Sequence, residues 1–397
     1  MLYSIFYSFY IIAAIVFGGV YIAGPFTIRH IAVICMLVYA MTHSSSLPKE
    51  KTMTMYILFV ICLGISDISY GYVEFFFKDL LANYLVCYVS YWATLILIEK
   101  KKSISVFIYT FIAIGIVSGV LVMLQYHDVY WAFIIPDILR TFTEEDMDQL
   151  TSIGGLIEGQ SLPGLFNRVD NGYYLSIATI LSLYIYNKYK SIVSLGFWGF
   201  LVVSLYMVQQ RAAFFIGLSL SIVFLLQSLS KSHKLIIFSF IAIGIIIFIY
   251  HETDISTLLE GSRYSKGADT GTRQDLWKIS YNYIIENPFN ANAIDFDKRH
   301  PDIAAHNLFL NAFLSCGLIG GTIVLSVVAI LCCRCIKIFK SRHYIKPEYI
   351  LTTLAFISFN FVSLSHNNSV VNGNIVFWIL ATPLMIKQYK LLEKKII

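Results

Sequence analysis

Apolar residues run through this chain in blocks of about 16 to 22, separated by short polar knots, and each block is long enough to cross a hydrocarbon core about 30 Å thick. The blocks stay apolar instead of alternating, which excludes an outer-membrane barrel and predicts membrane-spanning helices. Read between charges, about twelve spans emerge, at 2–23, 28–43, 52–66, 80–98, 104–124, 172–187, 191–208, 212–229, 235–250, 306–331, 350–365 and 371–386. The third and fourth are the least regular, because Gly64 and the stretch from Asp67 to Lys78 blur one exit and the next re-entry. The first block lacks the charged start and small-residue cleavage site of a removable signal peptide, so it is expected to remain as a span.

Composition agrees with this pattern. Of 397 residues, 57% are hydrophobic and 13% charged, and the mean hydropathy is +0.71. A soluble domain carries about 25% charge, so this chain could not clothe its own surface in water. A cytosolic enzyme and a nucleic-acid binder are excluded on that ground. The expected fold class is therefore an all-α polytopic membrane protein of about 12 transmembrane helices. No repeat or soluble domain interrupts it, so 1–397 reads as one integral membrane domain. Two connections, 125–171 and 251–305, exceed the roughly 15 residues beyond which loops usually carry function. Both hold aromatic and apolar residues, among them Tyr130, Trp131 and Phe166 in the first and Trp277, Tyr281 and Ile284 in the second. That content predicts short helices lying on the membrane surface.

Lysine placement orients the chain. The knots after even-numbered spans hold 18 of the 29 basic residues against four acids, and basic knots stay in the cytoplasm. Both termini are therefore expected inside, and the two long loops outside. The inner set contains 16 Lys and two Arg, whereas the outer set contains four Lys and seven Arg. The outer arginines are Arg29, Arg140, Arg168, Arg211, Arg263, Arg273 and Arg299. Topology needs only positive charge, but a planar guanidinium suits bidentate phosphate recognition, so this face suggests a phosphorylated ligand. The plainer alternative pairs these arginines with the 20 acids on the same side.

Four segments carry candidate chemistry. His306-Asn307 opens the tenth span, where an imidazole could exchange protons with a bound hydroxyl near neutral pH. On a helical wheel His306, Leu310, Phe313, Gly317 and Gly320 share a face, and Gly317 with Gly321 makes a small-residue step that would admit a neighbouring helix. Gly271-Thr272-Arg273-Gln274-Asp275 resembles a capping box that starts a helix ending before Asn287-Pro288, with Arg273 in its first turn and Trp277 one turn on. Gln209-Gln210-Arg211 places an arginine at the rim of apolar sequence, where it marks a functional site or snorkels to lipid phosphate. Gly164-Leu165-Phe166-Asn167-Arg168-Val169-Asp170-Asn171 leads into the sixth span and offers Arg168 and Asp170. Ser365-His366-Asn367-Asn368 forms a further outer turn.

Other signals carry less. Asp146-Met147-Asp148 matches a D-x-D pair but sits in an acidic run on the face where nucleotide sugars are not supplied. Cys332, Cys333 and Cys335 lack partners at ligand spacing, so no metal is expected. P-loop, G-x-S-x-G and H-E-x-x-H motifs are missing from the sequence.

Taken in order, Gln210-Arg211-Ala212-Ala213, Arg273-x-x-x-Trp277 followed by Asn287-Pro288, and His306-Asn307 with Gly317 ten residues on resemble motifs of the bacterial O-antigen polymerase and O-antigen ligase superfamily. The 164–171 segment is similar to a loop in the same family. One departure is Asn292-Ala293, where the family usually has glycines after Asn-Pro.

The resemblance implies a glycosyltransferase of the bacterial inner membrane with its site facing the periplasm. It would move a glycan from undecaprenyl diphosphate to an acceptor hydroxyl with inversion, using neither cofactor nor metal. Membrane lipid, a chain-length regulator and a flippase are the implied partners, and nucleic acid is not one. In that reading Arg211 and Arg273 stabilise the diphosphate and His306 activates the acceptor hydroxyl, while Arg168, Asp170, Asn307, Trp277 and Gly317 bind substrate. Two long outer loops favour a polymerase holding two lipid-linked repeats over a ligase. A lipid-linked oligosaccharide transporter remains the alternative of another class, although its ionisable groups would be expected nearer mid-span.

Overall fold

The computed structural model describes residues 2–23, 26–44, 50–127, 129–139, 162, 164–166, 168–208, 210–228, 270–301, 307–364, 371 and 373–386. The ninth expected span, 235–250, lies outside them, as do Arg140, the Asp146 and Asp148 pair, Arg263 and the 365–368 turn. Almost everything described is helix. Among the described residues, four helices are long and apolar enough to cross a membrane, at Lys51–Ser69, Ile104–Tyr126, Arg211–Ser228 and Leu308–Lys340. Shorter apolar helices stand at Leu2–Ile15, Ile28–His43, Leu85–Glu99, Ile192–Met207 and Ile375–Met385.

Where the sequence reads as one uninterrupted domain, the contacts sort the chain into two compact units, 1–107 with 269–397, and 108–268. In the larger unit, α1 (Leu2–Ile15), α2 (Ile28–His43), α3 (Lys51–Ser69), α4 (Val73–Asp79) and α5 (Leu85–Glu99) precede α6 (Ile104–Tyr126), which runs on into the second unit. The second unit continues with α7 (Trp131–Ile138), α8 (Arg168–Tyr189), α9 (Ile192–Met207) and α10 (Arg211–Ser228). The chain then returns to the larger unit with α11 (Thr270–Glu286), α12 (Ala293–Arg299), α13 (Leu308–Lys340), α14 (Pro347–Ser363) and α15 (Ile375–Met385).

Within the larger unit α13 packs along α3, and α15 fills the space between α5 and α14. Aromatic rings make much of that core: Trp378 is fully buried and lies 4.5 Å from the Tyr56 ring, centroid to centroid. Some buried hydroxyls pair across helices, as Tyr7 does with Thr94 at 2.8 Å, which offsets the cost of taking a polar group away from water. In the second unit, small residues bring α8 and α10 together. A Cβ on Gly172 would strike the Gln210 side chain, and one on Gly217 would stand 2.6 Å from Ser176 Oγ. Residues 172 and 176 thus meet 210 and 217 in the same order, so α8 and α10 run parallel.

Several helix ends of the larger unit are tied together by side chains. Glu50 of the first basic knot pairs with Arg334 of a later one, and Lys100 Nζ donates to the His43 carbonyl at 2.7 Å. At the other end, Tyr70 donates to the Asn290 carbonyl at 2.7 Å and Tyr84 to that of Val371 at 3.3 Å.

Two expected spans are corrected. The first, placed at 2–23, is helical only to Ile15 and continues into an antiparallel ribbon of β1 (Tyr21–Ala23) and β2 (Phe26–Thr27). The reason is Arg29, whose Nε donates to the Ala14 carbonyl at 3.1 Å and so satisfies an orphan acceptor at the helix end. Gly18 closes over that guanidinium, with room for no side chain. The tenth, expected as one helix, is broken at Cys316 (φ −159°, ψ 42°) and Gly317 (φ 64°, ψ −160°). This break interrupts the helical face expected to run from residue 306 to Gly320.

Candidate functional site

In the larger unit the site is built on the break in α13. Gly317 has a positive φ that other residues rarely adopt. The segment after α11 occupies the place of its missing side chain: a Cβ there would lie 2.6 Å from the Pro288 oxygen and 3.2 Å from Phe289 Cα. Leu318, deprived of its helical acceptor, donates its amide to the Pro288 oxygen at 2.7 Å. Gly317 therefore receives an Asn-Pro turn and not the neighbouring helix that the small-residue step predicts. Gly321 is likewise filled from its own helix, by the Phe313 ring.

This seat fixes the direction of α11. Its body shares an apolar cluster with α13, formed by Ile279, Tyr283 and Ile284 on one side and Leu310, Phe313 and Leu314 on the other. Its end lies on residues 317 and 318, beyond that cluster, so the two helices run parallel. At about 1.5 Å per residue, Arg273 stands about 20 Å back from Glu286 and Asn307 about 15 Å back from Gly317. The shared cluster follows the two helices back toward their N-terminal ends as far as Ile279 and Leu310.

Arg273 lies in the first turn of α11, as its motif predicts, although the helix begins at Thr270 and not at Thr272. Trp277, one turn on, is half-buried, and its indole N–H has no hydrogen-bond partner among the described residues. Asn307 is the N-cap of α13, and its Oδ1 accepts from the amides of Phe309 at 2.9 Å and Leu310 at 3.2 Å. His306 lies outside the described residues.

In the second unit Arg168 and Asp170 begin α8, and Arg211 begins α10. The Gln210 contact with Gly172 brings these two helix starts together. The 164–171 segment is fixed by α6. Gln125 accepts from the Gly164 amide at 2.7 Å and donates to the Gly164 carbonyl at 3.1 Å and to that of Ala132 at 2.8 Å. Ser118 bonds both Asn171 and the Leu165 amide, and Asn171 reaches the Leu162 carbonyl at 3.2 Å. Arg168, Asp170 and Arg211 thus belong to one unit, and Arg273, Trp277, Asn307 and Gly317 to the other.

Two outer arginines are held by the protein itself, Arg29 by a backbone carbonyl and Arg299, as the plainer alternative expects, by an acid. Arg29 caps α1, and Arg299 pairs with Asp295 at 2.9 Å with its guanidinium over the Tyr283 ring. The Tyr283 hydroxyl donates to Asp295 at 2.8 Å, and burial first, then that carboxylate, pushes it well above the ordinary tyrosine range. It therefore remains a donor at any physiological pH.

Sequence reasoning missed the polar contacts that hold the 290–292 segment. Asn292 donates to Asp67 at 2.7 Å and to Ser66 at 3.1 Å, and Ser66 donates to the Ala291 carbonyl at 3.3 Å. The available signal was Asp67 itself, an ionisable residue at the exit of an apolar span.

Among the described residues no group of His, Cys, Asp and Glu could hold a metal ion. No protein-family model matches the chain, and no curated protein matches it.

Proposed function

We propose that this chain is a bacterial inner-membrane glycosyltransferase of the O-antigen polymerase type, with about twelve spans, both termini cytoplasmic and its site facing the periplasm. It transfers an oligosaccharide from undecaprenyl diphosphate to the hydroxyl of a second lipid-linked repeat, inverting the anomeric centre without a metal. The observation that carries this reading is the parallel docking of α11 on α13 through Pro288 and Gly317. It joins segments of two of the three resembling motifs, so that Arg273 and Asn307 both lie toward the N-terminal end of one helix pair.

The roles follow from charge. As the glycosyl bond breaks, negative charge grows on the diphosphate, and fixed guanidinium groups stabilise it more than they stabilise the bound substrate. Arg273 and Arg211 are assigned that task, and His306 takes the acceptor proton. The N-terminus of α11, in whose first turn Arg273 lies, adds positive potential of the same sign.

The test is conversion of a purified lipid-linked repeat to longer chains by the purified protein, with and without chelator. Elongation insensitive to chelator supports the reading, and a protein that never elongates the lipid-linked repeat refutes it. Ligation to lipid A core is the alternative within the family. Transport is a second reading, favoured by the broken helix α13, because discontinuous helices line transporter sites. Movement of the intact lipid-linked repeat across a vesicle bilayer, without new glycosidic bonds, would establish it.

A further inference from the structure

Asp67 stands in the last turn of α3, an apolar helix, and is only 5% exposed. A carboxylate in such a place is costly unless it is hydrogen-bonded. Its partner is Asn292, 225 residues away in sequence, whose Nδ2 lies 2.7 Å from Asp67 Oδ1. Asn292 is itself fully buried and has a second duty. Its own Oδ1 accepts from the Asp295 amide at 3.0 Å, which makes it the N-cap of α12. Every polar atom of that amide is therefore committed, the nitrogen to α3 and the oxygen to α12.

The contacts continue toward α11. The Asp295 carboxylate accepts from Tyr283 of α11 and from Arg299, and the same Tyr283 proton is shared with the Asn292 carbonyl, 3.3 Å away. On the near side Tyr70 and Ser66 bond the carbonyls of Asn290 and Ala291. The turn that seats Pro288 on Gly317 is thus held at its other end by the outer turn of α3.

We infer that Asp67 is a positioning residue for glycan transfer: through Asn292 it fixes the 287–292 turn, and with it the α11 helix that bears Arg273. The inference rests on the function proposed above. Asp67 touches no reacting atom in this scheme. Its carboxylate keeps the turn from lifting off α3, so that α11 keeps its register on α13. Misplacing a catalytic group by about 1 Å can cost about a hundredfold in rate, whereas binding of the distant lipid carrier need not change.

The full-length protein in nanodiscs provides the test, with turnover of the lipid-linked repeat and amide hydrogen exchange as separate readouts at pH 8. Asn292→Asp retains the α12 cap but sets two carboxylates against each other. Its kcat is expected to fall about ten- to a hundredfold with KM little changed, and exchange to rise in 287–299. Asp67→Ala should behave similarly. The double variant Asp67→Asn with Asn292→Asp reverses donor and acceptor and should recover to within about threefold of the parent in kcat, with exchange protection restored.

The inference is overturned if the double variant remains as impaired as the worse single one. It is also overturned if Asn292→Asp turns over normally, or if exchange rises throughout α3 and α13 as in general unfolding. Failure of the function proposed above looks different. In that case the parent protein shows no transfer, and positioning is judged on exchange alone, which supports it if the swap restores protection and overturns it if not.

Discussion

The carbonyl oxygen of Pro288 occupies the space a side chain on Gly317 would need, and the amide of Leu318 donates to that same oxygen. One glycine thereby breaks a long helix and receives the turn that orients another. Substituting it should damage both at once. Gly317→Ala forces a left-handed backbone on an L-residue, at about 1–3 kcal/mol, and displaces Pro288 in addition. Thermal unfolding in detergent should show clear destabilisation, and a variant as stable as the parent would mean that the turn sits elsewhere.

Arg211→Ala, Arg273→Ala and His306→Ala are each expected to lower glycan transfer by at least about a hundredfold while the protein still reaches the membrane. Arg273→Lys keeps the charge but loses the planar fork, so intermediate activity is expected. Polymer length on gels, read beside membrane-fraction immunoblots, checks both. Wild-type polymer from all three alanine variants would remove the mechanism.

Deleting the gene separates the two acceptors. Loss of a polymerase leaves lipid A core bearing a single repeat, whereas loss of a ligase leaves bare core and polymer on the lipid carrier. The first pattern is expected.

Glu50 does two things on the opposite face: its Oε2 caps α3 at the amide of Thr52, 2.6 Å away, and its Oε1 accepts from Arg334. Glu50→Ala should cost about 1 kcal/mol for the lost cap and more for the partly buried guanidinium left unpaired. Arg334→Met, which removes the charge and keeps the cap, should be milder. Melting temperatures of the two variants test that order.

Asn171 is fully buried and ties Ser118 to the Leu162 carbonyl. Asn171→Leu should leave both unsatisfied, at about 1–3 kcal/mol each, and loosen the segment that leads to Asp170. Faster proteolysis between α7 and α8 is the expected readout.

Much of this protein could be read from the residues in order, because hydropathy and charge act locally and add along the chain. A run such as 104–124 needs no partner to be too apolar for water, and Lys100 or Arg334 needs none to mark a face. The helical character and the order of the helices follow from that. Hydropathy has no such hold on direction changes made by distant groups. The end of α1 at Ile15 depends on Arg29 arriving from beyond a ribbon. The break at Gly317 depends on a proline carbonyl about thirty residues earlier.

The candidate site divides in the same way. Arg273 and Trp277 are a turn apart on any helix, so their spacing was legible. Asn307 caps its helix because a short amide side chain suits that position wherever a helix starts. Asp67 was visible as a misfit, but its meaning was not. A buried carboxylate is tolerated only with a donor, and which donor is a question of packing. The sequence by itself determined an apolar helical chain, since transfer from water is a property of each segment. Only tertiary structure decided that Asn292 answers Asp67 and that Pro288 answers Gly317, since a hydrogen bond or a steric fit exists only where two remote segments meet.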